Sequence, residues 1–354
     1  MRRNKLEKPL SFAIITLLIA LTFPSCKNKP IELSKTETLL GTFVEIKVIT
    51  EDRKRGEEAI EKAFSRMKEI EKRMSNFLAD SELSRLNRKA GKEEVEVSEE
   101  LASVIVQGLS ISKKTEGAFD ITVSPLITLW GFYRHRGNLP QQEELGATLK
   151  RVGWKKVTYN PKRRTIRFKE QGMAIDLGGI AKGYAVDEAV STLKKWGITR
   201  ALVNAGGDIY ALGGGKNGKT WLIGIADPRE KGRIIGTIRV RDRAVVTSGS
   251  YENYFEIGGK RYCHIIDPRT GYPVSGMASV TIIAKNATIA DALATGIFVL
   301  RKKGGLSLIE QIPDAEGIII TDKGKIYFSS GMRWFHPSLF PPGVISVAEE
   351  RGNR

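Results

Sequence analysis

Apolar and polar residues alternate from Phe43 to Thr50, which predicts a strand with one buried face. Just beyond it, Ile60, Ala63, Phe64, Met67, Ile70 and Met74 recur three or four apart, the stripe of an amphipathic helix over Glu57–Met74. Leu101–Lys113 predicts a second helix, and Val157–Tyr159 and Thr165–Phe168 flank Asn160 and Pro161 as the arms of a hairpin. The short apolar run Ala174–Leu177 predicts a strand, Gly178 and Gly179 a turn, and Ile180–Trp196 a helix stopped at Gly197. Strands are expected at Ala201–Val203, Asp208–Leu212, Trp221–Ala226, Ile234–Val240 and Ala244–Thr247. A hairpin about Gly258 and Gly259, a strand Ser279–Ala284, a helix from Ala287 to Leu300 and a hairpin across Asp322–Gly324 follow. Short glycine turns between strands imply antiparallel pairing, so the expected class is α+β, mixed but mainly antiparallel sheets with packed helices. No repeat is visible and no low-complexity linker divides the chain.

The amino terminus breaks this pattern. Arg2, Arg3, Lys5 and Lys8 precede an apolar run of 14 residues, Leu10–Phe23, and then Pro24, Ser25 and Cys26, the layout of an export signal. A spanning helix needs roughly 20 apolar residues, so cleavage is favoured over a transmembrane anchor. Cys26 stands where bacterial lipoproteins carry their acylated cysteine, although Phe23 and Pro24 depart from the usual residues before it. Lipidation, plain cleavage and an uncleaved anchor all place the folded part outside the cytoplasm, and the first would hold it at the membrane. The division read from the sequence is a signal over 1–26 with Cys26 for lipidation, a linker over 27–37, one domain over 38–335 and a tail over 336–354.

Composition narrows the chemistry. Hydrophobic residues make up 41% of 354, enough for a large core and too many for a disordered chain. Two cysteines, Cys26 and Cys263, cannot form a disulfide framework or a thiolate zinc site. The net charge of +17 is spread along the chain without a nucleic-acid-binding motif, so nucleic acid is not an expected partner.

Three segments carry candidate chemistry. In AIDLGGIAKGYAVDEAV a glycine turn delivers Asp176 to a helix N-terminus with Lys182 one turn in, the make-up of an anion site; an ordinary turn capped by Asp176 fits equally well. In IADALATGIF, Asp291 and Thr295 share one helical face and offer hard oxygens suited to Mg²⁺, against the plainer reading of Asp291 as a solvated or capping residue. In RYCHIIDPRTGYPVSG, His264 and Asp267 border a turn, and Cys263 reads as a small buried residue rather than a nucleophile. Gly213–Gly218 spells GxGxxG but lies between two strands, so it reads as a hairpin turn and no dinucleotide fold is inferred.

These segments, with LLGTF, MSNFLADSELSRLN, GAFDITVSPLITLWGF, VNAGGDIYALG, TSGSYENYF and DALATGIFVL, resemble in order the ApbE-type FAD:protein FMN transferases. The resemblance spans Thr38 to Phe328. It implies a T-fold-like core and an Mg²⁺-dependent enzyme that joins FMN through a phosphoester to a threonine or serine hydroxyl of an exported flavoprotein, releasing AMP. Leu40, Phe77, Ala118, Phe119, Asp120, Asp176, Lys182 and Ile265 would then hold FAD. The Gly179 carbonyl, Asp291 and Thr295 would hold the metal, and His264 would be the base. An FAD pyrophosphatase yielding FMN and AMP, and a non-catalytic FAD-binding lipoprotein, are the alternatives.

Overall fold

A computed structural model describes residues 29–134, 136–216, 218–338, 340 and 345–346; the export signal and Cys26 lie outside the described residues. The chain opens with β1 (Ile31–Leu39), β2 (Thr42–Thr50) and the long helix α1 (Arg53–Met74), followed by α2 (Glu82–Arg88), β3 (Val95–Glu96) and α3 (Glu99–Lys114). Next come α4 (Ser124–Leu129), α5 (Gln142–Leu149), the hairpin β4 (Val157–Asn160) and β5 (Thr165–Phe168), and α6 (Ala181–Lys195). Then follow β6 (Ala201–Ala205), β7 (Asp208–Leu212), β8 (Trp221–Ala226), β9 (Ile234–Val240), β10 (Arg243–Gly249), β11 (Tyr254–Ile257) and β12 (Lys260–Cys263). The chain closes with β13 (Met277–Ala284), α7 (Ala287–Ile309), β14 (Glu316–Thr321), β15 (Ile326–Phe328) and β16 (Ile345–Ser346). The class is α+β, as the pattern predicts.

One nine-stranded sheet, in the order β1-β2-β6-β7-β10-β13-β14-β15-β16, forms the frame. Its pairings are antiparallel apart from the last, β15 with β16. The two-residue period of a strand sends alternate side chains to opposite faces. In β13, Val280 and Ile282 join the core beneath the helices and Ile283 a second core beneath the β8–β9 hairpin; a bulge between Met277 and Ser279 shifts the alternation, so Ala278 joins the second core as well. All eight β13 residues are therefore buried, which is why the segment is mostly apolar, with only Ser279 and Thr281 polar. Helices α1, α6 and α7 cover the first face; Phe64, Met67 and Ile70 of α1 are fully buried there, and truncating Phe64 to alanine should cost about 3–5 kcal/mol. A third cluster joins α4 and α5 to the β11–β12 hairpin around Trp130. Among the described residues no helix is long and apolar enough to cross a membrane.

Several expectations are corrected. The segment read as a linker over 27–37 contains most of β1, whose residues pair with β2 from Ile31 opposite Thr50 to Leu39 opposite Thr42. Its polar outward positions hid an edge strand. Ala174–Leu177 is extended but joins no ladder: the Ile175 amide donates to Asn87 Oδ1 and the Asp176 amide to the Ile121 carbonyl. Within the expected tail, Ser338 bridges Thr237 and Phe340 meets Phe328 edge-on, so the chain packs back onto the domain. Gly213–Gly218 connects β7 of the large sheet to β8 of a separate two-stranded sheet and is not a hairpin turn. Helix α7 continues past Leu300 to Ile309 after a break at Arg301, whose φ is 59°.

Candidate active site

The elements converge on a cavity of about 390 Å³ whose lining includes Leu40, Phe77, Ala118, Phe119, Asp120, Asp176, Gly179, Lys182, His264, Ile265, Asp291 and Thr295. All twelve described residues singled out from the sequence thus meet in one place, although they span more than 250 positions of chain. The volume is in the range of small-molecule sites.

The polar corner is built by the packing of α6 on α7. Asp187 of α6 accepts the Ala287 and Thr288 amides, each at 2.8 Å, and the Thr288 hydroxyl at 2.6 Å, capping the start of α7 from a neighbouring helix. One turn on, Asp291 is buried, and its Oδ2 accepts the Gly183 amide, one of the free donors in the first turn of α6, at 3.1 Å. Gly183 is required here, because a Cβ would stand 2.2 Å from the Ala287 carbonyl oxygen. Thr295 shares a hydrogen bond with Ser248 of β10 at 3.2 Å and lies beside Gly179. Behind this corner the fully buried Asp208 accepts Lys182 Nζ at 2.7 Å through Oδ2. Its Oδ1 is, among the described residues, the one buried side-chain oxygen with no hydrogen-bond donor. Burial, then the Asp208 charge, pushes the Asp291 carboxyl up to about 7. Burial also raises Asp208, against the pull of Lys182. For Lys182, burial acts downward but the Asp208 and Asp291 charges outweigh it, so the ammonium is held above the ordinary lysine value.

Asp176 is fixed on the opposite wall. Its Oδ2 accepts the Tyr133 hydroxyl and Asn76 Nδ2, the latter at 3.0 Å, and its Oδ1 accepts the Gly178 amide at 2.6 Å. Asn87 ties Asn76 and the Ile175 carbonyl to the same network. Burial, then the Asp176 charge, raises the Tyr133 hydroxyl, which stays a donor. The Tyr133 ring in turn meets Phe77 edge-on at 5.6 Å, leaving Phe77 73% exposed on the cavity rim. Leu40 completes the rim in the left-handed conformation, φ 55°, at the two-residue β1–β2 turn, with its amide donating to Glu71 Oε1 at 2.7 Å.

His264 faces the cavity with one ring nitrogen spoken for. Nδ1 lies 3.0 Å from the Asn253 carbonyl, which can only accept, so Nδ1 carries the hydrogen and Nε2 is the basic nitrogen of the neutral ring. Burial first, and Lys182 next, push the imidazole below the ordinary histidine value; the Asn253 carbonyl and Asp176 act in the other direction. The neutral form therefore dominates at pH 7. Asp120, on the cavity lining, also holds its own loop. Its Oδ1 accepts the Thr122 amide and hydroxyl and its Oδ2 accepts the Trp154 amide, so the carboxylate braces the loop from inside.

The oxygen corner suits a hard cation. Among the described residues no three His, Cys, Asp or Glu side chains cluster to hold a metal, so any site here draws on a carboxylate, a hydroxyl and a carbonyl. That donor set, with an excess of buried negative charge beside it, fits Mg²⁺, which takes one or two protein carboxylates and completes its shell with water or phosphate. The sequence model of the ApbE family matches residues 40–319.

This chain belongs to the ApbE family. It is 34% identical over 337 residues to the FAD:protein FMN transferase of Haemophilus influenzae, covering 91% of this chain and 96% of that one. The FAD:protein FMN transferase of Treponema pallidum is 33% identical, covering 85% and 88%. Among solved structures, the ApbE protein of Thermotoga maritima superposes with a TM-score of 0.81 at 37% identity, covering 86% of this chain and 99% of that one. The flavin transferase ApbE of Vibrio cholerae superposes with a TM-score of 0.77 at 32% identity and the same coverage. In this ApbE-family chain the reading of the sequence passed over Asn76, Tyr133, Asp208 and Asn253. Asn76, Asp208 and Asn253 stand inside quoted blocks, but only contacts across the fold show what these residues hold.

Proposed function

We propose that this transferase carries FMN from FAD to a threonine or serine hydroxyl of an exported flavoprotein, with Mg²⁺ held by Asp291, Thr295 and the Gly179 carbonyl. The observation that carries the reading is that a neutral histidine of fixed tautomer, His264, shares one cavity with a hard-oxygen corner and a half-buried lysine. His264 Nε2 takes the proton of the acceptor hydroxyl; the hydroxyl oxygen forms the new bond to the FMN phosphorus, the pyrophosphate bond breaks, and AMP leaves. Lys182 faces the pyrophosphate charge. Leu40, Phe77 and Ile265 border the flavin, and Asp176, immobilised by Tyr133 and Asn76, offers its remaining acceptor capacity to it. Ala118 and Phe119 contribute the buried wall, and Asp120 shapes their loop. A bound Mg²⁺ would neutralise charge that develops on the phosphates. The enzyme is exported and anchored at the membrane through a lipid on Cys26, the acceptor lying on the same side.

Intact-mass spectrometry of a threonine-containing exported flavoprotein, incubated with the enzyme, FAD and Mg²⁺, tests the reading. The expected result is a mass gain of FMN less water that disappears on chelation. Free FMN and AMP without a gain would replace transfer by pyrophosphate hydrolysis, and intact FAD would reduce the protein to a flavin binder.

A further inference from the structure

The polar corner holds two buried carboxylates and one ammonium, and the ammonium is not on the carboxylate that faces the cavity. Lys182 Nζ sits 2.7 Å from Asp208 Oδ2, while the charges of Asp291 and of Glu252, both on the cavity lining, also attract it. Asp208 does not line the cavity; it lies behind Lys182 and Asp291 with its Oδ1 lacking a donor. A half-buried ammonium without a fixed counter-charge goes to a neighbouring carboxylate, because opposite charges attract more strongly at lowered effective dielectric than in water.

We propose that Asp208 is the positioning residue of this corner: by holding the Lys182 ammonium it keeps that cation off Asp291 and leaves Asp291 open to a divalent metal. The inference rests on the assignment of the metal to Asp291 made above. With Asp208 in place the three side chains, fully ionised, carry one excess negative charge, and the metal meets a carboxylate that has no cation on it. Without that charge Lys182 neutralises Asp291 and occupies the place of the metal.

The test is Mn²⁺ binding to the flavin-free protein, followed by the paramagnetic resonance signal of the free ion. Asp208→Asn keeps the side-chain shape and should weaken Mn²⁺ binding about tenfold or more. Adding Lys182→Met removes the competing cation, restores one excess negative charge and should return the affinity to within about threefold of the parent. A lost structural contact would not be repaired by a second substitution, so rescue separates positioning from simple damage. Circular dichroism checks that both variants fold, and if Asp208→Asn alone does not, the charge-balanced double variant carries the test. Parental affinity in Asp208→Asn, or failure of the double variant to recover, overturns the proposal. No Mn²⁺ binding by the parent, with FMN transfer intact, overturns the metal assignment and this inference together. The expected binding pattern without FMN transfer to an acceptor supports the inference and refutes the transferase reading.

Discussion

Replacing Gly183 by alanine sets two well-known effects against each other. Glycine within a helix is about 1 kcal/mol worse than alanine, so α6 considered alone should gain from the change. The added Cβ, however, would stand 2.2 Å from the Ala287 carbonyl oxygen, 2.6 Å from its carbon and 2.9 Å from Asp291 Cβ. Two of these are backbone atoms, so no side-chain rotation relieves the contact. Nor can α7 slide away freely, because Asp187 holds its first two amides. Overpacking of this kind costs about 1–3 kcal/mol, and loosening the cap adds about 1 kcal/mol. The net expectation is a loss of about 1–3 kcal/mol, which lowers the melting temperature by roughly 1–4 °C in a chain of this size. Gly146 in α5 provides the control, since a Cβ there meets nothing within 4 Å. Gly146→Ala should therefore raise the melting temperature slightly. Thermal unfolding by circular dichroism reads both variants, and a Gly183→Ala protein as stable as the parent would refute the account of the α6–α7 contact on which the polar corner depends.

Other consequences follow from the same geometry. His264→Ala should lower FMN transfer about 10²–10⁴-fold while FAD binding persists, and the parental rate should fall on the acid side with an apparent pKa below that of ordinary histidine; parallel loss of binding and turnover would make His264 a binding residue. Leu40→Gly should relieve the left-handed backbone at the β1–β2 turn without loss of stability, yet weaken FAD binding about tenfold through the lost apolar contact; unchanged affinity would remove Leu40 from the flavin site. Asp291, raised from its ordinary value to about 7, binds a proton in the folded protein that the unfolded chain has already released, so metal-free stability from this group is full below about pH 4 and declines as pH rises toward 7. Chemical denaturation at pH 5 and pH 8 should show that decline, and Asp291→Asn should abolish it; an equal decline in the variant would place its origin elsewhere.

Periodicity and local chemistry in the sequence determined the elements whose buried face is regular. The stripe from Ile60 to Met74, the run of β13 and the glycine-bounded helix α6 follow from residues within a turn or two of one another, where spacing alone decides which side chains share a face. Six of the twelve cavity residues, Asp176, Gly179, Lys182, His264, Asp291 and Thr295, were legible for a related reason, because a glycine turn, an acid and a hydroxyl four apart, or a histidine beside a turn is itself local; Leu40, Phe77, Ala118, Phe119, Asp120 and Ile265 came only from the ordered blocks that resemble the ApbE family. What only the tertiary structure decided is where buried polar groups find partners. Asp120 turned inward to Thr122 and Trp154, Asp187 capped a helix 100 residues away, and Asp208 took Lys182 while Asp291 took the Gly183 amide. β1 likewise became a strand through its pairing with β2, and Ala174–Leu177 did not become one, because Asn87 and Ile121 met its amides first. A buried donor or acceptor must be satisfied by whatever the completed fold brings within about 3 Å, and that neighbour has no fixed offset along the chain.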